Sequence, residues 1–146
     1  MATAILLLQL FAVIYFDLSK LIIPNALNLT IAASGVATRS LELNGSPFSS
    51  FMQMGMVYLL FVLFDRVYEV LRKRRGMGGG DIKFLAAATA WIGLEQLPWL
   101  ILLASLSGLF FAIGARAFGK LGDISQKIPF GPHLSFGLIT VWVMWA

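Results

Sequence analysis

Residues 1–17 read MATAILLLQLFAVIYFD: Met1 to Phe16 carry no charged side chain, and Asp17 follows directly. An uncharged apolar run of this kind reads as a membrane helix. No Lys or Arg stands ahead of it, so the basic region that opens a cleavable signal peptide is missing. The rest of the chain has the same character, because 59% of its 146 residues are hydrophobic and only 12% are charged. A soluble domain carries roughly twice that share of Asp, Glu, Lys and Arg. Mean hydropathy is +0.86. The fold class expected is an all-α membrane protein, a compact bundle of about six transmembrane helices. Spans of about 20 residues leave no room for a separate soluble domain, so residues 1–146 are expected to form one transmembrane domain.

Working outward from the first span, a second is expected over 21–38. Pro24, Asn25, Asn28 and Thr30 dilute its apolar content and would be costly against lipid, so this helix is expected to face protein. A polar stretch, 39–49, reads as a loop before a third span over 51–67. The basic run Arg72-Lys73-Arg74-Arg75 and a glycine cluster precede a short fourth span, 82–94, which breaks at Glu95-Gln96-Leu97-Pro98. Residues 99–117 make the fifth, and 129–146 the sixth, with Pro129 and Pro132 near its first turn. Ala86 with Ala90, and Ala104, Gly108 and Ala112, are small residues at four-residue spacing, which lets helices approach closely in lipid.

Basic residues test this division. The connections after spans one, three and five, with their flanks, hold Lys20, Arg66, Arg72 to Arg75, Lys83, Arg116, Lys120 and Lys127, whereas the other side has Arg39 alone. Cytoplasmic loops are enriched in Lys and Arg, so both termini are expected outside. The same asymmetry explains the net charge of +4 without a nucleic-acid partner. The partner it implies is the lipid bilayer. Zero cysteines exclude a disulfide framework, a thiolate metal site and a cysteine nucleophile.

Two of the seven acidic residues stand out. Asp17 ends span one and Asp81 begins span four, so both fall at one membrane depth. A carboxylate within a span costs about 2.5 to 3.5 kcal/mol, and a matched pair at one depth suggests a site. Simpler readings stand beside this one. Asp81 alone could cap helix four, and Asp17 could pair with Lys20 one turn on. Asp65, Glu69 and Asp123 read as loop or snorkelling charges, and Glu95 lies outside.

Two carboxylates held together in a low dielectric cannot both ionise easily. One can then draw a proton from an attacking water while the other hydrogen-bonds to the carbonyl under attack. Helix polarity favours the charge on Asp81 and the proton on Asp17. Nothing in this chemistry needs a metal or a cofactor. A proton or cation carrier, or an assembly scaffold, would also place acids in a membrane, so that alternative stays open. Two nucleotide-like motifs fail: 76–81 lacks the third glycine of GxGxxG, and Gly114 to Lys120 is followed by Leu121 where a P-loop needs a hydroxyl. His133, the one histidine, reads as incidental.

Gly76-Met77-Gly78-Gly79-Gly80-Asp81-Ile82-Lys83-Phe84 resembles the GMGxGDxKL signature of the type IV prepilin peptidases, membrane-embedded aspartic proteases of the GxGD type. Phe84 stands where Leu is usual. Asp17 ahead of Ile23-Pro24-Asn25 is similar to that family's first catalytic segment, and Pro129-Phe130-Gly131-Pro132 resembles its motif at the last helix. The resemblance implies that Asp17 and Asp81 are the catalytic pair, with Gly76, Gly78, Gly80 and Lys83 in the active-site loop. It implies a prepilin or pseudopilin substrate, whose leader is cut from its hydrophobic helix at the cytoplasmic face of the inner membrane. Many members also methylate the new N-terminus through an added domain with a four-cysteine zinc site. This chain has no cysteine and few residues between spans one and two, so neither methylation nor zinc is expected. The short form resembles peptidases of the Flp/Tad pilus systems. The basic leader of such a substrate would be drawn towards Asp65, Glu69 or Asp123.

Overall fold

A computed structural model of the protein describes residues 1–42, 44–119 and 128–145. Six helices follow in order: α1 (Ala2–Lys20), α2 (Asn25–Glu42), α3 (Pro47–Arg72), α4 (Gly79–Ile92), α5 (Leu97–Ala117) and α6 (Gly131–Trp145). The described residues contain no strand. By length and composition α1, α3 and α5 can each cross a membrane. α3, at 26 residues, extends about 39 Å, longer than the roughly 30 Å of a hydrocarbon core, and its charged residues Asp65, Arg66, Glu69 and Arg72 gather in its C-terminal turns.

Several boundaries differ from the sequence reading. α2 continues through Arg39 to Glu42 and α3 starts at Pro47, so the loop placed at 39–49 shrinks to a few residues. Proline fits at this helix start because its missing N–H would have had no intrahelical partner. Leu97 and Pro98 likewise open α5 two residues early, and Pro129 lies ahead of α6 rather than within it. Lys120, Asp123 and Lys127 lie outside the described residues.

The largest difference concerns α4. From Ile82 to Ile92 every residue but Lys83 is buried, and neighbours on α2, α3, α5 and α6 enclose the helix. A helix that is apolar all round belongs inside a protein or inside a bilayer, and sequence does not separate the two. At 14 residues it reaches only about 21 Å, so it forms the core of the bundle rather than a lipid-facing span. Leu63, Phe64 and much of the rest of α3 are exposed instead, which is the inversion expected where lipid is the solvent.

Small residues set the closest contacts, as membrane packing requires. A Cβ on Gly35 of α2 would stand 2.6 Å from the Trp91 ring and 2.8 Å from Ala90, and one on Gly137 of α6 would meet the Leu100 carbonyl at 2.8 Å. Trp91 Nε1 donates to the Ile31 carbonyl at 2.9 Å, and its ring meets Trp142 edge-on. The buried face of α2 runs through Asn28, Ile31, Gly35 and Thr38, confirming that this helix faces protein. Asn25 and Thr30 depart from that expectation, since both are exposed; Asn25 accepts from Lys83, and Thr30 donates to its own helix at the Leu27 carbonyl, which lowers the cost of facing lipid.

Contacts fix the direction of each helix. Gly131 meets Asp17 while Trp142 reaches Thr3, and Trp99 stacks on Trp145. Asn28 meets Gly80, and Gln53 meets Leu94. Odd-numbered helices therefore end, and even-numbered helices begin, at one end of the bundle. Asp17 and Asp81 lie there.

Replacing Gly35 by Leu should destabilise the bundle by about 1 to 3 kcal/mol through overpacking at the α2–α4 crossing. Gly55, where a Cβ would meet nothing within 4 Å, should accept Ala with no loss. Thermal unfolding in detergent checks both; equal melting of the two variants would contradict the packing described.

Candidate active site

Asp17 sits one turn before the end of α1, where the Leu21 N–H closes on its carbonyl at 2.9 Å and Leu21 turns left-handed at φ 52°. The carboxylate points inward and the residue is only 5% exposed. A buried carboxylate must find donors, and Asp17 finds one in the Gly131 N–H, which approaches Oδ2 at 2.7 Å. That N–H belongs to the first turn of α6 and has no partner within its own helix. Glycine is required here by distance, because a Cβ on Gly131 would lie 2.7 Å from Oδ2 and 2.9 Å from Asp17 Cγ. Lys20 is not the partner of Asp17: its ammonium lies over the Phe16 ring at 5.7 Å.

Asp81 is the third residue of α4, and the cap position itself is filled by Gly78. The capping role open to Asp81 on sequence is therefore not the one it has. Its Oδ2 lies close over Gly78, 3.1 Å from where a Cβ would be. Helix polarity no longer assigns the proton, because Asp17 lies at the carboxyl end of α1 and also at the amino end of α6, whose partial charges oppose each other.

The glycine loop is held from two sides. Asp65 Oδ1, in the C-terminal turns of α3, accepts the N–H groups of Gly76 and Met77, both at 3.0 Å. Asp65 is thus a loop anchor rather than a snorkelling charge. From the other side Ile23 packs against Gly80, the Asn28 side chain donates to the Gly80 carbonyl at 3.3 Å, and Lys83 donates to Asn25 Oδ1 at 2.8 Å. Lys83 therefore ties α4 to the start of α2 and forms no ion pair with either aspartate. Gly76 packs on the Tyr68 ring. Glu69 reads as expected, with Arg66 at 3.3 Å and Arg75 at 4.0 Å on the surface.

These elements surround a cavity of about 670 Å³ bordered by Asp17, Leu21, Gly78, Asp81, Pro129 and Phe130, among others. α1 and α4 do not pack against one another, so the cavity lies between the helix ends that carry the two carboxylates. Arg75 also borders it, but a guanidinium stays protonated. Among the described lining residues, Asp17 and Asp81 are then the groups able to take up and release a proton. No Ser, Thr or His is among them. Nor do three His, Asp or Glu side chains converge on a metal position among the described residues.

Ser107 and His133 form a pair the sequence did not suggest, with Oγ and Nδ1 3.1 Å apart between α5 and α6. Ser107 also donates to the Ala104 carbonyl, and neither residue borders the cavity. The pair joins two helices. Glu95 lies at the far end of the bundle beside Arg39 and Trp145, as expected of an acid away from the site.

The sequence profile of the type IV leader peptidase family matches residues 4–113. A prepilin leader peptidase/N-methyltransferase of Aeromonas hydrophila is 33% identical over 150 residues, an overlap covering 98% of this chain and 48% of that protein. One from Legionella pneumophila is 30% identical over 135 residues, covering 91% of this chain and 46% of its own length. The chain spans about half the length of these curated relatives. No solved structure matches it at a significant level.

Asp65→Ala should leave two loop N–H groups without their acceptor, a loss of about 1 to 3 kcal/mol of local stability. Amide hydrogen exchange at Gly76 and Met77 should accelerate while the α4 interior stays protected. Unchanged exchange at those two amides would show that the loop is held by other contacts.

Proposed function

The chain belongs to the type IV leader peptidase family, and from that premise we propose that it is an aspartic endopeptidase that removes the leader peptide from prepilins, with Asp17 and Asp81 as its catalytic pair. The observation that carries this reading is that both carboxylates border one cavity, with no other side chain on its described lining suited to general acid or base work.

The chemistry follows from the arrangement. One carboxylate, ionised, takes a proton from a water held between the two as that water attacks the scissile carbonyl. The other, protonated, hydrogen-bonds to the carbonyl oxygen and stabilises the charge that develops on it. The proton then passes to the leaving amine, and the pair returns to its starting state. Gly131 holds Asp17 in place through its N–H, and the loop Gly76–Gly80, without side chains except at Met77, lets an extended backbone approach Asp81. Lys83 is a positioning residue, acting through Asn25.

Three finer readings accompany this one. Orientation is read from charge: Lys20, Arg66, Arg72 to Arg75, Lys83 and Arg116 gather at the dyad end of the bundle and Arg39 at the other, which supports a dyad at the cytoplasmic face of the inner membrane with both termini outside. Substrates are prepilins of the Flp type, on the strength of the small gap between α1 and α2 and the absence of cysteine from these residues. These 146 residues carry no methyl-transfer site, because they hold no cysteine and only residues 21–24 separate α1 from α2, whereas the relatives bear the name leader peptidase/N-methyltransferase.

Asp17→Asn and Asp81→Asn, made separately and expressed with a Flp-type prepilin, should each abolish leader removal while the bundle still melts cooperatively. Continued processing by either variant excludes the dyad. Mass spectrometry of the mature product made by this chain alone should find a free, unmethylated amine; an added methyl group would refute the third reading.

A further inference from the structure

An apolar groove of about 210 Å³ runs between α1 and α6, lined by Leu10, Ile14, Pro132, Ser135, Phe136 and Ile139 among others. Its upper end lies one helical turn from Asp17. Ile14 lies one turn before Asp17 on α1, and Pro132 follows Gly131, whose N–H holds the Asp17 carboxylate. From there the groove descends along both helices towards the bundle's middle.

One polar group lies in it. Ser135 is only 2% exposed, and its Oγ has no hydrogen-bond partner among the described residues. This is unusual within the molecule, since Thr30, Ser34, Ser40, Ser107 and Thr140 each donate to a carbonyl three or four residues back in their own helices. An unpartnered hydroxyl in apolar surroundings is unfavourable, and a lipid acyl chain has nothing to offer it. A helix does at its ends, where the first four N–H groups and the last four carbonyls lack intrahelical partners, and the end that lies beside the scissile bond is the start. Ser135 lies four residues beyond Gly131, about 6 Å along α6, so its oxygen stands about one turn from the dyad.

We propose that this groove receives the hydrophobic helix that begins just past the scissile bond, with Ser135 Oγ accepting an N–H from that helix's first turn. The proposal rests on the leader-peptidase reading for the identity of its occupant. Apolar side chains of the substrate helix fill the groove, the free N–H groups at its start meet the unpartnered Ser135 oxygen, and the extended residues ahead of it cross the cavity between Asp17 and Asp81. Cutting position is then set by where the helix starts against the groove, a constraint independent of the residues flanking the bond.

A photoreactive benzoylphenylalanine at position 139, in an Asp81→Asn chain that holds substrate without turnover, tests this in membranes containing a Flp-type prepilin. Position 59 on the exposed face of α3 serves as control. The expected result is an adduct to the first turns of the prepilin helix from 139 and none from 59. Lipid adducts alone from 139, or equal prepilin capture from 59, would overturn the proposal. In an otherwise unaltered chain, Ile139→Trp fills the groove and should raise KM for the full prepilin about tenfold with little change in kcat. A peptide ending a few residues past the scissile bond should be cut as before; unchanged KM for the full prepilin would also overturn the proposal. The two readings separate: leader removal by the unaltered chain, with no 139 adduct from the Asp81→Asn chain, defeats the groove alone, whereas a 139 adduct together with an unaltered chain that never removes the leader defeats the peptidase reading and leaves the groove.

Discussion

A carboxylate buried in a helix bundle has to be met by donors, and in this protein the donor is the first free N–H of another helix. The 2.7 Å contact from Gly131 to Asp17 fixes the relative position of α1 and α6 at the end of the bundle where the even-numbered helices begin. It works because Gly131 lacks a side chain, and because the start of a helix offers N–H groups with no competing partner. With α1 placed against α6, and α4 enclosed by α2, α3, α5 and α6, the ends of α1 and α4 face each other across a cavity instead of packing.

The other side of the cavity is built by the same means. Asp65 takes up two backbone N–H groups of the glycine loop, and Asn28 meets its last carbonyl, so a segment with little side-chain packing of its own is held by side chains from α2 and α3. Lys83 and Asn25 add a cross-link between α4 and α2. The loop is thereby ordered without being filled, which leaves Gly79 with open space where a side chain would be.

Much of this was legible in the sequence, for reasons that differ by element. Long uncharged runs marked α1, α3 and α5, and the polar residues diluting α2 marked it as facing protein, which Asn28 bears out and Thr30 does not. The short length of α4 was visible, but its enclosure was not, because an apolar helix in lipid and one in a protein core read alike. The two aspartates stand out by their matching depth, whereas Asp65 reads in sequence only as a loop or snorkelling charge, since a carboxylate that accepts backbone N–H groups eleven and twelve residues away leaves no periodic trace. Gly131 lay within a recognised motif, yet its contact spans 114 positions and could not be drawn from spacing. Lys83 stood beside Asp81 in sequence and turns to Asn25 in space.

Family membership and geometry constrain different things. The match over residues 4–113 places the chain among the type IV leader peptidases, while the two acids on one cavity supply a chemistry for it. The account stands on the convergence of those acids, and the absence of cysteine from the sequence makes that convergence directly measurable. Asp17→Cys and Asp81→Cys introduced together give a chain whose sole thiols sit at the two positions. A short bifunctional thiol reagent should join them within one molecule in native membranes, detected as a link between the peptides carrying residues 17 and 81. Thiols that are each modified singly and never joined would place the two side chains in separate sites and contradict the account.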